Sequence, residues 1–144
     1  ITNIAESDLP NNLDMIDGNN SGKNHIAYTF YLFNASEAES VNYEWQIKMR
    51  NISNGIDEAI RVKHYVNGEP TKYAKTAFDG SGAEPGTVEF YSSDVVAMGR
   101  VDDFASGEVT KNTIVIWIEG NDPDCLDWIK GGKMSLEMVI SIVH

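Results

Sequence analysis

Along residues 41–50, VNYEWQIKMR, apolar and polar positions alternate without a break. Val41, Tyr43, Trp45, Ile47 and Met49 fall on one side of an extended chain, and Asn42, Glu44, Gln46, Lys48 and Arg50 on the other. That period predicts a strand with one wet face. Residues 25–34, HIAYTFYLFN, predict an earlier strand, aromatic on both faces and stopped by the polar cluster Asn34-Ala35-Ser36-Glu37. The short link between the two suits antiparallel neighbours. Residues 60–66 alternate again, and Asn67-Gly68 then predicts a two-residue hairpin, because both residues tolerate positive φ. The return strand is expected over 71–77, near an edge. A Gly-rich loop over 79–86 and a short strand over 87–91 follow. Residues 93–106 fit neither period, which predicts irregular structure with a strand around 95–101.

The C-terminal stretch, residues 112–143, organises the rest. Residues 113–118 are almost wholly apolar and rich in β-branched side chains, the pattern of a strand buried on both faces. Gly120-Asn121-Asp122-Pro123 breaks that strand. Asp122 suits an N-cap and Pro123 the first helical position, while Asp124 and Asp127 suit the positive end of a short helix. Gly131-Gly132 ends it, so a short helical turn is expected near 122–130. Residues 134–143 predict a second strand, which puts the C-terminus centrally in a sheet. Residues 1–24 read differently, as a polar arm interrupted by two apolar knots, Ile1/Ile4 and Leu9/Leu13/Met15/Ile16. Several short strands between turn signals predict an all-β fold: an antiparallel β-sandwich of jelly-roll or Greek-key type, one domain over 25–144 preceded by the arm. The alternative is an α+β fold with a helix over 93–106 or 122–130.

Composition narrows the function classes. A chain of 144 residues suits one domain with one real core. Its 11 basic against 22 acidic residues give a net charge of −11, which opposes binding nucleic acid or an anionic membrane through a basic surface. A single cysteine, Cys125, allows no intrachain disulfide. No apolar run approaches the roughly 18 residues that span a bilayer. The chain begins at Ile1 rather than Met, which fits a removed leader and an extracellular or cell-surface location.

Candidate chemistry is sparse. His25, His64 and His144 lie in no metalloprotease helix and beside no nucleophile motif, and a zinc site needs ligands that converge. Cys125 reads as a small apolar contact. The loop DGSGAEPG lacks the strand-to-helix setting of a phosphate loop. Two acidic clusters are candidate calcium sites. Asp122, Asp124 and Asp127, with Glu119 and Asn121 nearby, are the first choice; Asp14 and Asp17, with Asn19 and Asn20, are the second. Neither has EF-hand spacing, and calcium needs six to eight oxygens at one point; turn chemistry and capping explain the same residues. Trp45 and Trp117 read as core, and Trp128 as the exposed aromatic that would stack on a carbohydrate. Asn-x-Ser triplets at Asn19, Asn34 and Asn51 matter where a host glycosylates them.

The segment VIWIEGNDPDC, followed by GGKMSLEMVISI and preceded by YTFYLFN, resembles the TasA/camelysin-like group of secreted bacterial proteins. Its most telling part is Trp117 to Cys125, and the likeness extends over about residues 22–143. The resemblance implies a jelly-roll sandwich, export, and assembly into extracellular matrix fibres. Some members carry a metallopeptidase label, but this chain has no zinc-protease motif, so that activity is not carried over. The expectation is a non-enzymatic structural protein, a subunit of a cell-surface filament or biofilm matrix fibre. Its partner would be a second copy: the arm, through Ile1, Ile4, Leu9 and Leu13, adds a strand to a neighbour's open sheet edge, a head-to-tail contact that propagates. The alternatives are an arm folded back on its own domain and, at the level of function, a secreted carbohydrate- or surface-binding module.

Overall fold

The structure is a computed structural model; it describes residues 2–144, apart from the side chain of Trp128. The fold is the expected all-β sandwich. Among the described residues nine strands run in chain order: β1 (Gly18–Asn19), β2 (Ile26–Phe33), β3 (Val41–Arg50), β4 (Ile60–Val66), β5 (Glu69–Ala74), β6 (Val88–Glu89), β7 (Val95–Phe104), β8 (Val109–Ile118) and β9 (Ser135–Val143). They form a six-stranded sheet ordered β1-β2-β8-β4-β5-β6 and a three-stranded sheet ordered β7-β3-β9. Every pair is antiparallel except the short β5–β6 pair. From β2 to β3 to β4, and again from β6 through β7 and β8 to β9, the chain crosses between the sheets, the long-connection habit of Greek-key sandwiches.

Side-chain alternation decides which face each strand gives to the core. Ile47 and Met49 of β3 meet Ile60 and Val62 of β4 and Val96 of β7 between the sheets. On β8 the even positions Ile114, Ile116 and Ile118 join that core, while Val115 and Trp117 point out of the sandwich. There they are covered by the N-terminal arm, with Leu13 5% exposed and Trp117 1%. The expectation that β8 is buried on both faces therefore holds, and the second cover is the arm. Asn67 (φ 50°) and Gly68 (φ 86°) turn β4 into β5 as the hairpin signal predicts. Gly99 of β7 is required by packing: a Cβ there would stand 2.6 Å from the Trp45 ring across the ladder.

Several expectations fail, each for a local reason. β2 and β3 are not neighbours, because the link between them crosses to the other sheet. The strand expected around 95–101 is present but longer, a full ten residues, β7, where irregular structure was expected around it. Its pairing with β3 shifts register between Val41 and Tyr43 and again between Ile47 and Lys48, and Asp103 takes φ 55°. Such irregularities break the period of two that marks a strand in sequence. The short helical turn expected near 122–130 is present as a 3-10 turn, Asp127–Ile129, but it starts after Leu126 and Asp122 does not cap it. β9 forms, but as an edge strand bonded only to β3, not as a central one. Trp45, which reads as core in the sequence, is half-buried, as are Ile116 and Ile118 of the apolar β8 run, whereas Ile47 is fully buried. No helix among the described residues is long and apolar enough to cross a membrane.

Candidate functional site: an open sheet flank and an acidic cluster

The two sheets do not match in width. The larger has four long strands, β2, β8, β4 and β5, and the smaller has three. β9 ends the smaller sheet one strand short, and an apolar groove of about 410 Å³ opens beside it. Ile26, Tyr28 and Phe30 on the inward face of β2 line one side; Met138 and Ile140 of β9 line the other. Ile26 is 44% and Tyr28 51% exposed, although both point toward the space between the sheets. The β9 edge runs nine residues, SLEMVISIV, with a single charge and no proline. Natural edge strands usually carry bulges, lysines or prolines against unwanted pairing. The opposite edge, β7, has such protection in its register shifts and in Arg100, Asp102 and Asp103.

The arm's predicted donor residues lie elsewhere. Ile4 bridges Glu119 through Ile4 N to Ile118 O and Gly120 N to Ile4 O, 2.9 and 2.8 Å. Leu9 and Leu13 pack on the outward face of the same chain's six-stranded sheet against Val115 and Trp117. In the single chain the arm thus folds back on its own domain rather than standing free for a neighbour. Burying Leu13 and covering Trp117 supplies the reason, since exposed apolar surface next to a tethered apolar segment is quickly covered. Ile1 lies outside the described residues. Glu6 anchors the arm electrostatically: its carboxylate receives Lys72 Nζ at 2.9 Å and Lys63 Nζ at 3.4 Å. Partial burial works to raise its pKa, but the two lysines outweigh that and hold it below the usual glutamate value.

Beyond the end of β8 the structure gathers a different acidic set from the expected one. Oxygens of Glu84, Asp122 and Asp124 lie within 4.8 Å of one another. Asp122 is fully enclosed; Arg61 Nη1 of β4 donates to its Oδ2 at 2.7 Å, and Asp124 N donates to its Oδ1 at 2.7 Å. Asp124 Oδ2 accepts Phe78 N at 2.9 Å, which ties the Gly-rich loop to this turn. Glu84 comes from that loop, is 6% exposed, and its Oε1 has no hydrogen-bond partner among the described residues. Desolvation, with Asp122 beside it, raises the Glu84 pKa. Asp127 does not join the group: its side chain is 97% exposed and pairs with Lys130, at 3.5 Å. No sequence signal marks Glu84, because it is brought to Asp122 only by the pairing of β5, β4 and β8.

The remaining candidates disperse. Asp17 accepts the Tyr31 hydroxyl and Asn20 reaches Leu13 O, contacts that hold the loop into β1, and Asp14 and Asp17 belong to no convergent acidic group among the described residues. His25 sits against Asn20 O, His64 is buried between the sheets against Asn112, and His144 is exposed, so the three do not converge. Cys125 is free and receives Asn3 Nδ2 at 3.2 Å. Trp117 is buried beneath the arm and Trp45 stands edge-on to His64, so neither offers a face to a sugar. The Trp128 side chain lies outside the described part. Comparison with family models, curated proteins and solved structures found no match to this chain.

Proposed function

We propose that the protein is a non-enzymatic structural subunit that self-associates head to tail into an extracellular filament, each copy accepting a strand from the next. The carrying observation is the unprotected nine-residue edge of β9 beside the uncovered, inward-facing side chains of β2. A strand added to β9 would complete the smaller sheet, because one further strand spans about 4.8 Å and the smaller sheet has one long strand fewer. Its backbone would satisfy the open edge and its alternate side chains would cover Ile26 and Tyr28, which is strand addition as a binding mode.

The donor in this reading is the N-terminal arm of a neighbouring copy. It lies outside both sheets and carries apolar residues, and its first part is held by two ladder-type hydrogen bonds at Ile4, by Glu6 N on Glu119 and by the Glu6 ion pairs with Lys63 and Lys72, so its release must break these contacts. Its transfer uncovers Val115 and Trp117, so assembly requires arm release and proceeds slowly. Donor and acceptor are different surfaces, and the contact therefore propagates. The resemblance to the TasA/camelysin-like group points the same way.

Negative-stain microscopy tests this on three proteins: the native chain, a deletion of residues 1–13, and Tyr28→Asp. The native protein is expected to form fibres, and both variants are expected to stay folded and monomeric. Fibres from the deletion would remove the arm as donor. Fibres from Tyr28→Asp would remove the β9 flank as acceptor, and a native chain that never polymerises would end the reading.

A further inference from the structure

We propose that Glu84, Asp122 and Asp124 form a binding site for a hard divalent cation, calcium in kind, that clamps the Gly-rich loop to the turn after β8. Three carboxylates converge within 4.8 Å, and Arg61 compensates one of them through Asp122. The remaining two negative charges call for one divalent ion. Hydrogen bonding gives an independent indication. Asp122 and Asp124 have backbone or guanidinium donors, but Glu84 Oε1 is buried with none. A buried carboxylate oxygen without a donor is costly, and its place beside two other carboxylates makes the cost larger. A cation between the three removes both costs at once.

Donor type selects the ion. The group contains only oxygen ligands and none of the histidines or Cys125, which disfavours zinc and copper. Its members come from two loops, and Arg61 occupies one side of Asp122, so the remaining positions fall to water and backbone oxygens. Calcium accepts six to eight oxygens in flexible geometry, whereas magnesium demands a near-regular octahedron. An adaptable two-loop site therefore favours calcium. The loop hydrogen bond from Phe78 N to Asp124 already sets the two segments in register, so binding tightens an existing contact.

The test is thermal unfolding and calorimetric titration of the whole chain in chelator and in millimolar calcium, with magnesium as a parallel arm. A ligand that binds only the folded state raises its stability. Calcium is expected to raise Tm and to bind more tightly than magnesium. Glu84→Gln is the informative variant, because it keeps shape and removes one of the clustered charges. In chelator it is expected to melt at or above the native Tm; in calcium it is expected to fall below the native protein, with affinity weakened by about tenfold or more. Asp124→Asn is expected to lose binding too, and Asp127→Asn to retain it. Calcium that releases no heat and leaves Tm unchanged overturns the proposal. Binding undiminished in Glu84→Gln, or lost in Asp127→Asn, overturns the assignment of residues. Equal affinity for magnesium overturns the choice of ion.

Discussion

Ile47 and Ile116 face the same inter-sheet space, yet their surroundings differ. Both line the groove beside β9, but Ile47 is 0% exposed at its floor, packed with Met49, Val62 and Val96, while Ile116 stands half-buried. Removing atoms from a closed site leaves a cavity, and at an open one the gap fills with water or with neighbours. Ile47→Ala is expected to cost about 2–5 kcal/mol and Ile116→Ala about 2 kcal/mol or less. Denaturant melts check both, and equal losses would mean that the groove is closed in solution. His64 makes a second residue-scale prediction. Burial between the sheets pushes its pKa below the ordinary value of 6.5, against the opposing hydrogen bond with Asn112, 2.8 Å. The unfolded chain then binds the proton more readily than the folded one. Stability is full above about pH 6.5, falls by up to about 1.4 kcal/mol per pH unit as pH drops toward the folded pKa, and levels off beneath it. Denaturant midpoints for the native chain and His64→Gln between about pH 7 and pH 5 test this; the variant should lose part of the slope.

At the scale of elements, legibility followed the strength of the local period. β3 and β9 carry clean patterns and lie within a residue or so of their expected ends, and the β4–β5 turn was written in Asn67-Gly68. Gly68 holds φ 86° with nothing within 4 Å of a Cβ, so Gly68→Ala should cost about 1 kcal/mol from backbone conformation alone. A thermal melt of that variant checks the turn type; an unchanged Tm would contradict it. β7 was legible only in part, as a strand around 95–101, because its register shifts, near Val96 and at Asp102-Asp103, break the period of two and exist only in pairing with β3. The short helical turn after β8 was legible, but its start at Asp122 was misplaced for a related reason. Asp122, Pro123, Asp124 and Asp127 have the composition of a helix start, but Arg61 claims the Asp122 carboxylate and the chain turns around that ion pair instead. A buried pair of this kind is expensive to break even where it adds little net stability, and it outcompetes the roughly 1 kcal/mol of an N-cap.

For the whole molecule, sequence carried fold class and missed layout. Nothing in the apolar run of β8 reveals that β2 and β4 take its two edges, or that the arm lies over Val115 and Trp117. For the same reason the acidic cluster was only half foreseen: Asp122 and Asp124 advertise themselves, and Glu84 needs the assembled sheet. The open flank is likewise a property of two strand counts compared, not of any one segment.

The position of β8 also bears on the order in which the chain can fold. β2 is made early, but it has no long partner until residues 109–118 exist, since β8 alone joins it to β4. A chain growing from its N-terminus can form the β4–β5 hairpin on its own, whereas the six-stranded sheet waits for nearly the whole sequence. Loop-closure entropy over such separations slows folding toward the millisecond-to-second range of sandwiches. Through that interval the aromatic face of β2 is uncovered, so the nascent protein is most vulnerable to wrong partners before its last third is synthesised.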